Sequence, residues 1–487
     1  MKKLTDILKN TPVREVCGDT AAAIGGLVYD SRAVKPGDCF FAVPGTQSDG
    51  HDYIPMAVEK GAAAIVCERM PADAAEGVAY VLVGDSAGAM ADMAAAFYDY
   101  PSRELKLVGI TGTNGKTTTA TLLYDLVRAM GYKAGLISTV VYKIDGREVE
   151  ATHTTPDSIR LNAMMREMAD AGCAYCFMEC SSHAIVQERT RGLDFAGGIF
   201  SNITHDHLDY HKTFAEYIRA KKLFFDGLPK GAFALTNADD RNGRVMVQNT
   251  AAAVSAYSLR AMADFRCKIV EMHLDGMLLR IDGQELWVGL LGRFNAYNLL
   301  AVYGAAALLG LDRGEVLRVL SMLHAVSGRF EKIRAANGTT AIVDYAHTPD
   351  ALENVIQTIE EIRTPGQQLI VVCGCGGDRD RTKRPEMAAI VVKYATTAVF
   401  TSDNPRHESP EAILDDMVAG LEPGARYLRI ADRAEAIRTA VMLSRPGDII
   451  LVAGKGHETY QIVGDVKHPF DDREEINSQF RIQNSKL

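Results

Sequence analysis

The sequence predicts an α/β protein of three domains, and three observations carry this prediction. Its 487 residues exceed the roughly 100–200 residues that one domain usually holds. Short apolar runs typical of buried strands alternate along the chain with segments of helical periodicity. From residue 105, a strand-like run, a Gly-rich loop and a helical segment follow one another, as in the first unit of a parallel sheet.

Changes in the sequence pattern divide the chain into its predicted domains. Residues 1–102 hold short apolar runs separated by Gly, Pro and Asp, which predict a small N-terminal α/β domain that ends in a linker near 98–103. Residues 103–328 predict a central domain whose parallel sheet carries the Gly-rich loop. Residues 329–487 alternate strands with helices again and predict a C-terminal Rossmann-like α/β domain.

Individual elements follow from length and periodicity. The predicted strands span 39–43, 62–67, 79–83, 105–110, 175–180, 197–203, 233–237, 339–346, 368–374, 397–402 and 448–454, and the predicted helices span 120–131, 295–310 and 349–362. Ligands of open α/β sheets bind outside the carboxyl ends of the strands. The loops after these strands are therefore the predicted functional region.

Composition excludes several classes of function. A net charge of −9 argues against nonspecific binding of nucleic acid. The first ten residues lack the apolar segment of a signal peptide, and no run reaches the ~18 apolar residues of a membrane span. We therefore expect a cytoplasmic protein without membrane insertion, and we expect a monomer.

The nine cysteines do not predict a disulfide framework, because their number is odd and they are scattered. Cys173 and Cys176 form a CxxC motif, Cys180 lies nearby, and Cys373 and Cys375 are two residues apart. A zinc site is the alternative, but a second pair at finger-like spacing is missing. Reduced, buried thiols are the favoured interpretation.

A Gly-rich loop between a predicted strand and a predicted helix is the strongest functional signal. It consists of Gly112, Thr113, Asn114, Gly115, Lys116, Thr117 and Thr118. The N–H groups of such a loop bind phosphate, the lysine adds positive charge, and the Thr hydroxyl can bind Mg²⁺. The usual phosphate-loop pattern has glycine where Ile110 stands, and ATPases and GTPases share such loops. The loop therefore predicts a nucleotide but not a reaction; a turn with a chance lysine is less favoured.

The loop variant TGTNGKTT and a series of further motifs resemble the Mur ligase family, which includes peptidoglycan amino-acid ligases and folylpolyglutamate synthetases. The resemblance covers nearly the whole chain. The motifs are MECSSHAI (178–185), NITHDHLDYH (202–211), YIRAKKLF (217–224), GRFNAYNLLA (292–301), SGRFE (327–331), DYAHTPDAL (344–352), GCGGDRDRTKRP (374–385), DNPR (403–406) and GKGHE (454–458). It implies an ATP-dependent, amide-forming ligase with an N-terminal uridine-nucleotide-binding domain and a central P-loop ATPase-like domain.

The resemblance also implies an ATP site with Mg²⁺ and an acyl-phosphate intermediate. Besides the loop, it implies that Asn295 contacts the base, Arg329 the γ-phosphate and Asp344 the ribose. The implied metal ligands are Thr117, Glu179, His207 and a carbamylated Lys221, and the implied catalytic residues are Lys116, Glu179, His207 and Lys221.

Several of these implied roles have a simpler alternative in the residues themselves; for Arg329 it is a surface salt bridge. Without the resemblance, a solvated carboxylate at a strand end is the preferred interpretation of Glu179, which follows an apolar run, and a solvated, charged helix face is the default interpretation of Lys221. The run HDHLDYH at 205–211 has enough His and Asp for zinc, although a phosphate-bound cation fits Mg²⁺ better. Carbamylation of Lys221 requires a partly buried, uncharged amine.

The first substrate implied by the resemblance is UDP-MurNAc-L-Ala-D-Glu. Small polar residues of low individual specificity match its contacts in the family, and only their joint match is informative. They are Ser31, Thr46, Gln47, Ser48, Thr154, Thr155, Ser181, Gln187 and Arg189.

The incoming amine is indicated by the tetrapeptide Asp403, Asn404, Pro405 and Arg406. Family members with DNPR use meso-diaminopimelate, whose second α-carboxylate a guanidinium can bind through two parallel hydrogen bonds. The resemblance adds Arg379, Gly454 and Glu458 to this pocket, with Glu458 facing the distal amino group. A plain Asn-Pro turn is the simpler interpretation of DNPR and is compatible with a binding loop.

Three rival functions remain open at this point. Lysine addition within the same family is opposed by Arg406, and a folylpolyglutamate synthetase is opposed by Ser31 and residues 46–48. A noncatalytic nucleotide-binding switch would leave Glu179, His207 and Lys221 without a role.

Overall fold

The computed structural model describes residues 1–45, 48–204, 206 and 208–484. Within these residues the chain forms three α/β units, each built on its own main sheet, with two additional two-stranded ribbons. The predicted α/β fold of three units is confirmed. The predicted domain limits at 102 and 328 remain predictions.

The N-terminal unit is a five-stranded sheet with strand order β2-β7-β6-β5-β4, in which only β2 runs antiparallel to its neighbour. Its elements are β1 (Lys2–Lys3), α1 (Leu4–Ile7), β2 (Val13–Cys17), β3 (Ala23–Ile24), β4 (Leu27–Val28), β5 (Cys39–Phe41), α2 (Ile54–Glu59), β6 (Ala64–Cys67), β7 (Ala79–Val83) and α3 (Ser86–Phe97). Short 3-10 helices span Ser31–Ala33, Gly50–Tyr53 and Pro101–Glu104. The inner strands β5 and β6 are buried throughout, as continuous apolar runs predict.

The central unit is an eleven-stranded sheet with strand order β11-β10-β9-β12-β8-β13-β14-β15-β16-β17-β18. Its strands are β8 (Lys106–Thr111), β9 (Ala134–Ile137), β10 (Val141–Ile144), β11 (Arg147–Glu150), β12 (Tyr175–Glu179), β13 (Gly197–Phe200), β14 (Phe233–Asn237), β15 (Ala253–Ser258), β16 (Phe265–His273), β17 (Gly276–Ile281) and β18 (Gln284–Val288). The strands from β9 to β16 in this order are parallel, and antiparallel hairpins extend both edges.

Helices cover both faces of the central sheet. They are α4 (Lys116–Ala129), α5 (Ser158–Asp170), α6 (Ser182–Val186), α7 (Leu208–His211), α8 (Phe214–Asp226), α9 (Gly243–Val247), α10 (Arg293–Leu308) and α11 (Arg313–Leu320). Helix α10 is apolar on nearly every side because α4, the sheet and α11 surround it. Helix α8 begins at Thr213, whose hydroxyl accepts a hydrogen bond from the Glu216 N–H and so fixes the helix that carries Lys221.

The C-terminal unit is a six-stranded sheet with strand order β19-β20-β24-β21-β22-β23, parallel except for β19. Its elements are β19 (Glu331–Arg334), β20 (Thr340–Asp344), α12 (Pro349–Ile362), β21 (Leu369–Cys375), α13 (Lys383–Tyr394), β22 (Thr397–Ser402), α14 (Pro410–Val418), β23 (Leu428–Arg429), α15 (Arg433–Leu443), β24 (Ile449–Ala453), β25 (Tyr460–Val463), β26 (Val466–Pro469) and α16 (Asp472–Asn484). All predicted strands and helices of the chain are present, with ends that differ by a few residues.

The cysteines and the helices bear on two expectations from the sequence. All nine cysteines are free thiols, and all except Cys17 are buried. In the described residues, no helix has both the length and the apolar character needed to cross a membrane.

Candidate functional site

A cleft of about 850 Å³ lies between the central and C-terminal units. It opens at the carboxyl ends of β8, β12, β13, β14 and β20, where ligands of parallel sheets bind. Among the predicted site residues its walls include Thr113, Asn114, Gly115, Lys116, Thr117, Thr118, Thr154, Thr155, Glu179, Ser181, Gln187, Arg189, Lys221, Arg329, Asp344, Arg379 and Glu458. Residues predicted from separate motifs therefore converge on one cavity.

The Gly-rich loop needs glycine at two positions, for conformation and for space. Gly112 and Gly115 have φ values of 150° and 87°, a region that side chains rarely adopt. A Cβ on Gly112 would lie 1.9 Å from Ser201 Oγ, and one on Gly115 would lie 2.5 Å from Asn298 Oδ1. The loop is thus pressed against β13 and α10, which leaves its other side for a ligand.

Residues after β13 hold the tip of this loop in place. The Asn114 carbonyl accepts hydrogen bonds from Ser201 Oγ at 2.6 Å and from Asn202 Nδ2 at 3.1 Å, and the Asn114 N–H donates to Asn202 Oδ1 at 2.9 Å. Beneath the loop, the Thr113 and Tyr217 hydroxyls are 3.1 Å apart. A loop fixed in this way can bind phosphate without first paying the entropy of becoming ordered.

Two lysine amines converge on the loop from different helices. Lys116 Nζ donates to the carbonyls of Gly112 at 2.9 Å and Thr113 at 2.8 Å. Lys221 Nζ, from α8, donates to the same Gly112 carbonyl at 2.8 Å and lies 4.6 Å from the centre of the Tyr217 ring. Burial lowers the pKa of both amines, and the charge of Lys116 further lowers the pKa of Lys221, which is 1% exposed.

Glu179 lies at the end of β12, where it is 1% exposed. Its carboxylate accepts hydrogen bonds from the Thr139 N–H at 2.7 Å and the Thr139 hydroxyl at 3.2 Å. It is therefore an oriented carboxylate rather than the solvated one that the sequence left as an alternative. Thr139 was missed in the sequence, although it follows β9, the neighbour of β12, and so lies where functional residues of such sheets are found.

Among the described residues, the side chains near the phosphate loop fit Mg²⁺. The described residues contain no group of three His, Cys, Asp or Glu side chains that could hold a metal ion. Near the loop they offer hard oxygen ligands, the Glu179 carboxylate and the Thr117 hydroxyl, which accepts from Arg329 Nη2 at 3.2 Å. Few protein ligands completed by phosphate and water are typical of Mg²⁺. His207 lies outside the described residues.

Polar residues predicted for the first substrate form a connected set beside Glu179. The Thr155 hydroxyl donates to the Glu179 carbonyl at 2.7 Å and accepts from the Ser181 N–H at 3.2 Å. Arg189 donates to the Thr155 carbonyl at 2.7 Å and to Gln187 Oε1 at 2.6 Å. The structure thus brings the central-unit members of this group together, and the Thr154 hydroxyl adjoins that of Thr139 at 3.1 Å.

The other predicted residues for this substrate belong to the N-terminal unit. Ser31 is buried at the start of a 3-10 turn after β4, and Ser48 is exposed on a loop after β5. Thr46 and Gln47 lie outside the described residues. The unit is held against the central unit by Arg191, which forms ion pairs with Asp92 at 2.9 Å and Asp85 at 3.4 Å.

Arg329 and Asp344 lie where the C-terminal unit meets the phosphate loop. The Arg329 guanidinium carbon lies 4.6 Å from the centre of the Tyr345 ring, and its Nε is buried without a hydrogen-bond partner within the described part of the chain. Asp344 accepts from the Phe330 N–H at 2.7 Å, and burial raises the pKa of its carboxyl to about 6. A buried unpaired donor beside the loop fits an arginine that binds an anionic ligand.

Asn295 lies one layer behind the cleft wall. It is 3% exposed, and its amide donates to the Leu291 carbonyl at 2.8 Å and accepts from Asn298 Nδ2 at 3.1 Å. Asn298, which lines the cleft, was not predicted. The spacing of three residues on one helix was the available signal, because such residues share a face.

A further wall of the cleft was also missed. Asp239, just after β14, accepts hydrogen bonds from the Tyr297 hydroxyl at 2.8 Å and the Ser258 hydroxyl at 2.7 Å. Asp239, Tyr297 and Arg260 line the cleft, whereas Ser258 does not. The position of Asp239 and Arg260 after the parallel strands β14 and β15 was the signal that could have found those two residues.

The residues predicted to recognise the amine form a second polar cluster in the C-terminal unit. Asn404 donates to Glu458 Oε2 at 2.8 Å, and the fully buried Lys455 donates to Asn404 Oδ1 at 3.0 Å and to Glu458 Oε2 at 2.9 Å. Gly454 must be glycine, because a Cβ there would lie 2.5 Å from Asp403 Oδ2. Lys455 was missed, although it lies within the GKGHE motif.

Arg379 and Arg406 approach each other over Gly376. A Cβ on Gly376 would lie 3.1 Å from Arg406 Nη1 and 3.8 Å from Arg379 Cγ. Both guanidinium groups donate to backbone carbonyls, Arg406 to Gly377 at 2.8 Å and Arg379 to Asp378 at 3.0 Å, and neither forms an ion pair with a carboxylate of the described residues. Burial, together with the nearby Arg379, lowers the pKa of Arg406. Two adjacent cations of this kind favour an anionic ligand.

Only part of this cluster reaches the cleft surface. Arg379 and Glu458 line the cavity, whereas the remaining predicted members are not among its lining residues. These members are Asp403, Asn404, Pro405, Arg406 and Gly454.

Three sequence-family descriptions match consecutive parts of the chain. Residues 23–98 match the Mur ligase family catalytic domain, residues 110–306 the Mur ligase middle domain, and residues 328–456 the Mur ligase glutamate ligase domain. Together they span the three units of the fold.

Individual proteins are similar over almost the full length. The UDP-N-acetylmuramoyl-L-alanyl-D-glutamate–2,6-diaminopimelate ligase of Phocaeicola vulgatus is 55% identical over 480 residues, which cover 98% of this chain and 99% of the relative. A solved structure of a ligase with the same name is 31% identical, with a TM-score of 0.71 over 99% of both chains. The MurF ligase of Thermotoga maritima in complex with ADP shares the fold, with a TM-score of 0.62, 19% identity and coverage of 94% of this chain and 98% of that one.

Proposed function

The chain belongs to the Mur ligase family, as its motifs predicted, and we propose that it adds meso-diaminopimelate to UDP-MurNAc-L-Ala-D-Glu with hydrolysis of ATP. The products are the UDP-MurNAc-tripeptide, ADP and phosphate. One observation carries the choice of amine. The pocket combines two neighbouring cations, Arg379 and Arg406, with the Glu458 carboxylate, whose charge acts on Arg406, and this combination matches the carboxylate and ammonium of a second amino-acid centre.

The first step joins the substrate carboxylate to phosphate. An oxygen of the D-Glu carboxylate attacks the γ-phosphorus of ATP, the bond to the β-phosphate oxygen breaks, and ADP leaves. Lys116 and the N–H groups of the loop neutralise and align the phosphates, and Arg329, one side-chain nitrogen of which is unpaired, binds the γ-phosphate. Alignment and charge neutralisation supply most of the rate of such a transfer.

Thr117, Glu179, His207 and a carbamylated Lys221 are the residues that would hold Mg²⁺. Mg²⁺ bound there neutralises charge on the phosphate oxygens. Thr139 orients the Glu179 carboxylate through its two hydrogen bonds. Burial lowers the pKa of Lys221 and so favours the uncharged amine, the form that captures CO₂.

The second step forms the amide. The amine of meso-diaminopimelate attacks the acyl carbon, the bond to phosphate breaks, and the amine loses a proton. Arg406 and Arg379 bind the carboxylate of the distal centre, while Glu458 accepts from its ammonium. Closure of the C-terminal unit over the loop, through the contact between Arg329 and Thr117, excludes water from the acyl phosphate.

The acceptor is held by the set of residues around Thr155 and Arg189, with its uridine nucleotide on the N-terminal unit near Ser31 and Ser48. The supporting observation is the hydrogen-bonded continuity of that set with Glu179. The reaction makes a precursor of peptidoglycan, and we place the enzyme in the cytoplasm as a monomer.

One assay tests this proposal. The purified chain is given UDP-MurNAc-L-Ala-D-Glu and Mg-ATP with either meso-diaminopimelate or L-lysine, and phosphate release and product mass are measured. We expect the tripeptide mass with meso-diaminopimelate and a kcat/KM lower by about 10³-fold or more with lysine. Equal use of lysine would refute the assigned specificity, and phosphate release without amide would point to a nucleotide switch.

A further inference from the structure

We propose that Arg473, at the start of α16, is a positioning residue that locks the turn carrying Arg329 to the loop carrying Glu458. The γ-phosphate site and the amine pocket then move as one body, and each ligand strengthens the binding of the other. This inference rests on the proposed function, because it assigns ATP to the turn that carries Arg329 and the incoming amine to the loop that carries Glu458.

The turn that carries Arg329 and the loop that carries Glu458 are the two segments, and they interlock through Gly328 and Gly456. A Cβ on Gly328 would lie 2.0 Å from the backbone nitrogen of His457, and a Cβ on Gly456 would lie 2.6 Å from the Gly328 carbonyl oxygen and 2.7 Å from Tyr345 Cβ. Both glycines have positive φ, 66° and 53°. Backbones this close cannot slide past each other without separating.

Arg473 joins the same two segments through its side chain, which is 20% exposed. Its guanidinium donates to the Ser327 hydroxyl and, at 3.5 Å, to the His457 carbonyl, so that it bridges one residue of each segment. It also forms an ion pair with Glu331 at 3.7 Å. Glu331 in turn accepts from the Gly328 N–H at 2.8 Å, which ties the far end of the turn into the same network.

The start of α16 is itself a fixed point. Asp471 accepts from Arg473 at 2.6 and 2.9 Å and holds its guanidinium in one orientation. Asp472 forms a fully buried ion pair with Arg433, both contacts being 2.7 Å. Arg433 also donates to the Ala453 carbonyl at 3.1 Å, at the end of the strand that leads into the loop of Glu458.

The two segments reach the binding sites of both ligands. Arg329 follows Gly328 directly and lies 3.2 Å from Thr117, in the phosphate loop. Glu458 follows His457 and accepts from Asn404, in the amine pocket. A ligand that draws Arg329 toward the phosphate loop therefore also positions Glu458. By thermodynamic linkage, a ligand that binds at Glu458 must then strengthen the binding of the ligand at Arg329 to the same extent.

Calorimetry on the full chain tests the inference. The protein is saturated with UDP-MurNAc-L-Ala-D-Glu, and meso-diaminopimelate is titrated with and without the Mg²⁺ complex of a nonhydrolysable ATP analogue; the reverse titration follows. We expect the wild type to bind each ligand at least about fivefold more tightly in the presence of the other. In Arg473→Ala we expect the ratio of the dissociation constants measured without and with the other ligand to fall toward one, while both ligands still bind. A residue that only stabilised the fold would not change the ratio.

Controls separate the possible failures. Arg481→Ala, an exposed arginine of the same helix, should keep the wild-type ratio. If Arg473→Ala does not fold, Arg473→Lys decides, because lysine keeps the charge but cannot span both segments, and its ratio should also fall. A wild-type ratio within twofold of one, or an unchanged ratio in a folded Arg473 variant, overturns the inference. Absence of any meso-diaminopimelate binding in the wild type instead overturns the proposed function.

Discussion

Lys116 and Lys221 donate hydrogen bonds to one acceptor, the carbonyl oxygen of Gly112, over 2.9 and 2.8 Å. Two ammonium groups this close repel each other, and Lys221, which is fully buried, loses its proton more readily. Accordingly, burial and the charge of Lys116 lower the pKa of Lys221 well below its usual range. The pair thus favours loss of the proton from Lys221, next to the loop where phosphate is proposed to bind.

This relationship predicts that Lys221 is carbamylated in the active enzyme. Addition of CO₂ to the amine replaces a potential cation with an anionic oxygen donor. We expect Lys221→Ala to lose about 10²- to 10³-fold in kcat, the range lost when a group that stabilises transition-state charge is removed. Short carboxylates should restore part of the activity of this variant. Lys222→Ala is the matched control, because Lys222 is the next residue of α8 and pairs with Asp226 instead.

The measurement is intact-protein mass at mild pH, together with kcat under bicarbonate and under CO₂-depleted buffer. The prediction is wrong if Lys221→Ala keeps full activity without added carboxylate. It is also wrong if the wild type keeps full activity after complete removal of CO₂.

Gly115 is predicted to be essential for the shape of the phosphate loop. Gly115→Ala adds a Cβ 2.5 Å from Asn298 Oδ1, so we expect ATP affinity to fall by at least about 10-fold as the loop or Asn298 shifts. Gly131→Ala is a close control, because Gly131 has nearly the same φ, 89° against 87°, and no atom within 4 Å of the added Cβ.

Calorimetric titration with an ATP analogue and thermal unfolding measure the two effects separately. Both variants should lose about 1 kcal/mol of stability from the left-handed backbone. Only Gly115→Ala should lose nucleotide affinity, and an equal loss in both variants would contradict a steric role for Gly115.

Buried parallel strands were predictable from the sequence, whereas the antiparallel edges were not predicted. Strands such as β8 and β24 are continuous apolar runs because both of their faces are covered. Strand β16, where the antiparallel extension begins, alternates polar and apolar residues and lacks such a run. A signal for the hairpins was nevertheless present. The dipeptides Asp145-Gly146 and Asp282-Gly283 both have positive φ at each residue, as tight hairpin turns require.

Local motifs predicted residues from several elements that line one cleft, but contacts between units were beyond them. The hydrogen bond from Asn114 to Asp350 at 2.8 Å and that from Arg329 to Thr117 at 3.2 Å join residues more than two hundred positions apart. Such pairs depend on how two sheets pack and leave no trace in local periodicity. Whether a motif residue reaches the cleft or lies behind it, as Asn295 does, is decided by the same packing.

Thr139 is predicted to orient Glu179 during phosphoryl transfer. Thr139→Val keeps the shape and the N–H donor but removes the hydroxyl, which donates to the carboxylate at 3.2 Å. A hydrogen bond to a charged group contributes about 1.5–3 kcal/mol, so we expect kcat to fall by about 10- to 100-fold. Steady-state kinetics should show KM for ATP nearly unchanged. Thr139→Ser, which retains the hydroxyl, should recover most of the loss; if it does not, packing rather than orientation is responsible.

Arg406 is predicted to determine the choice of amine. Arg406→Ala removes one of two adjacent guanidinium groups, so we expect kcat/KM for meso-diaminopimelate to fall by about 10²- to 10³-fold while KM for ATP stays within about twofold. Arg426→Ala, an exposed arginine of the same unit, is the control and should match the wild type. Equal losses for both ligands would show that Arg406 supports the fold instead of binding the amine.

The buried carboxyl group of Asp344 is predicted to lower the free energy of unfolding at neutral pH. Burial raises the pKa of its carboxyl to about 6, above the value of an unfolded chain. The folded state therefore holds its proton more tightly, and the free energy of unfolding should decrease as pH rises from about 4 to about 6, because the folded state binds more protons in that window. Each unit of difference between the pKa in the folded and in the unfolded chain corresponds to about 1.4 kcal/mol in the free energy of unfolding.

Asp344→Asn removes this titration but keeps an oxygen that can accept from the Phe330 N–H. We expect the variant to be more stable than the wild type at pH 7 by about 1–3 kcal/mol, with no difference at pH 4, and to bind the ATP analogue more weakly. Urea unfolding at both pH values and calorimetric titration measure these effects. A variant less stable than the wild type at pH 7 would mean that the hydrogen bond to Phe330 outweighs the cost of burying the charge.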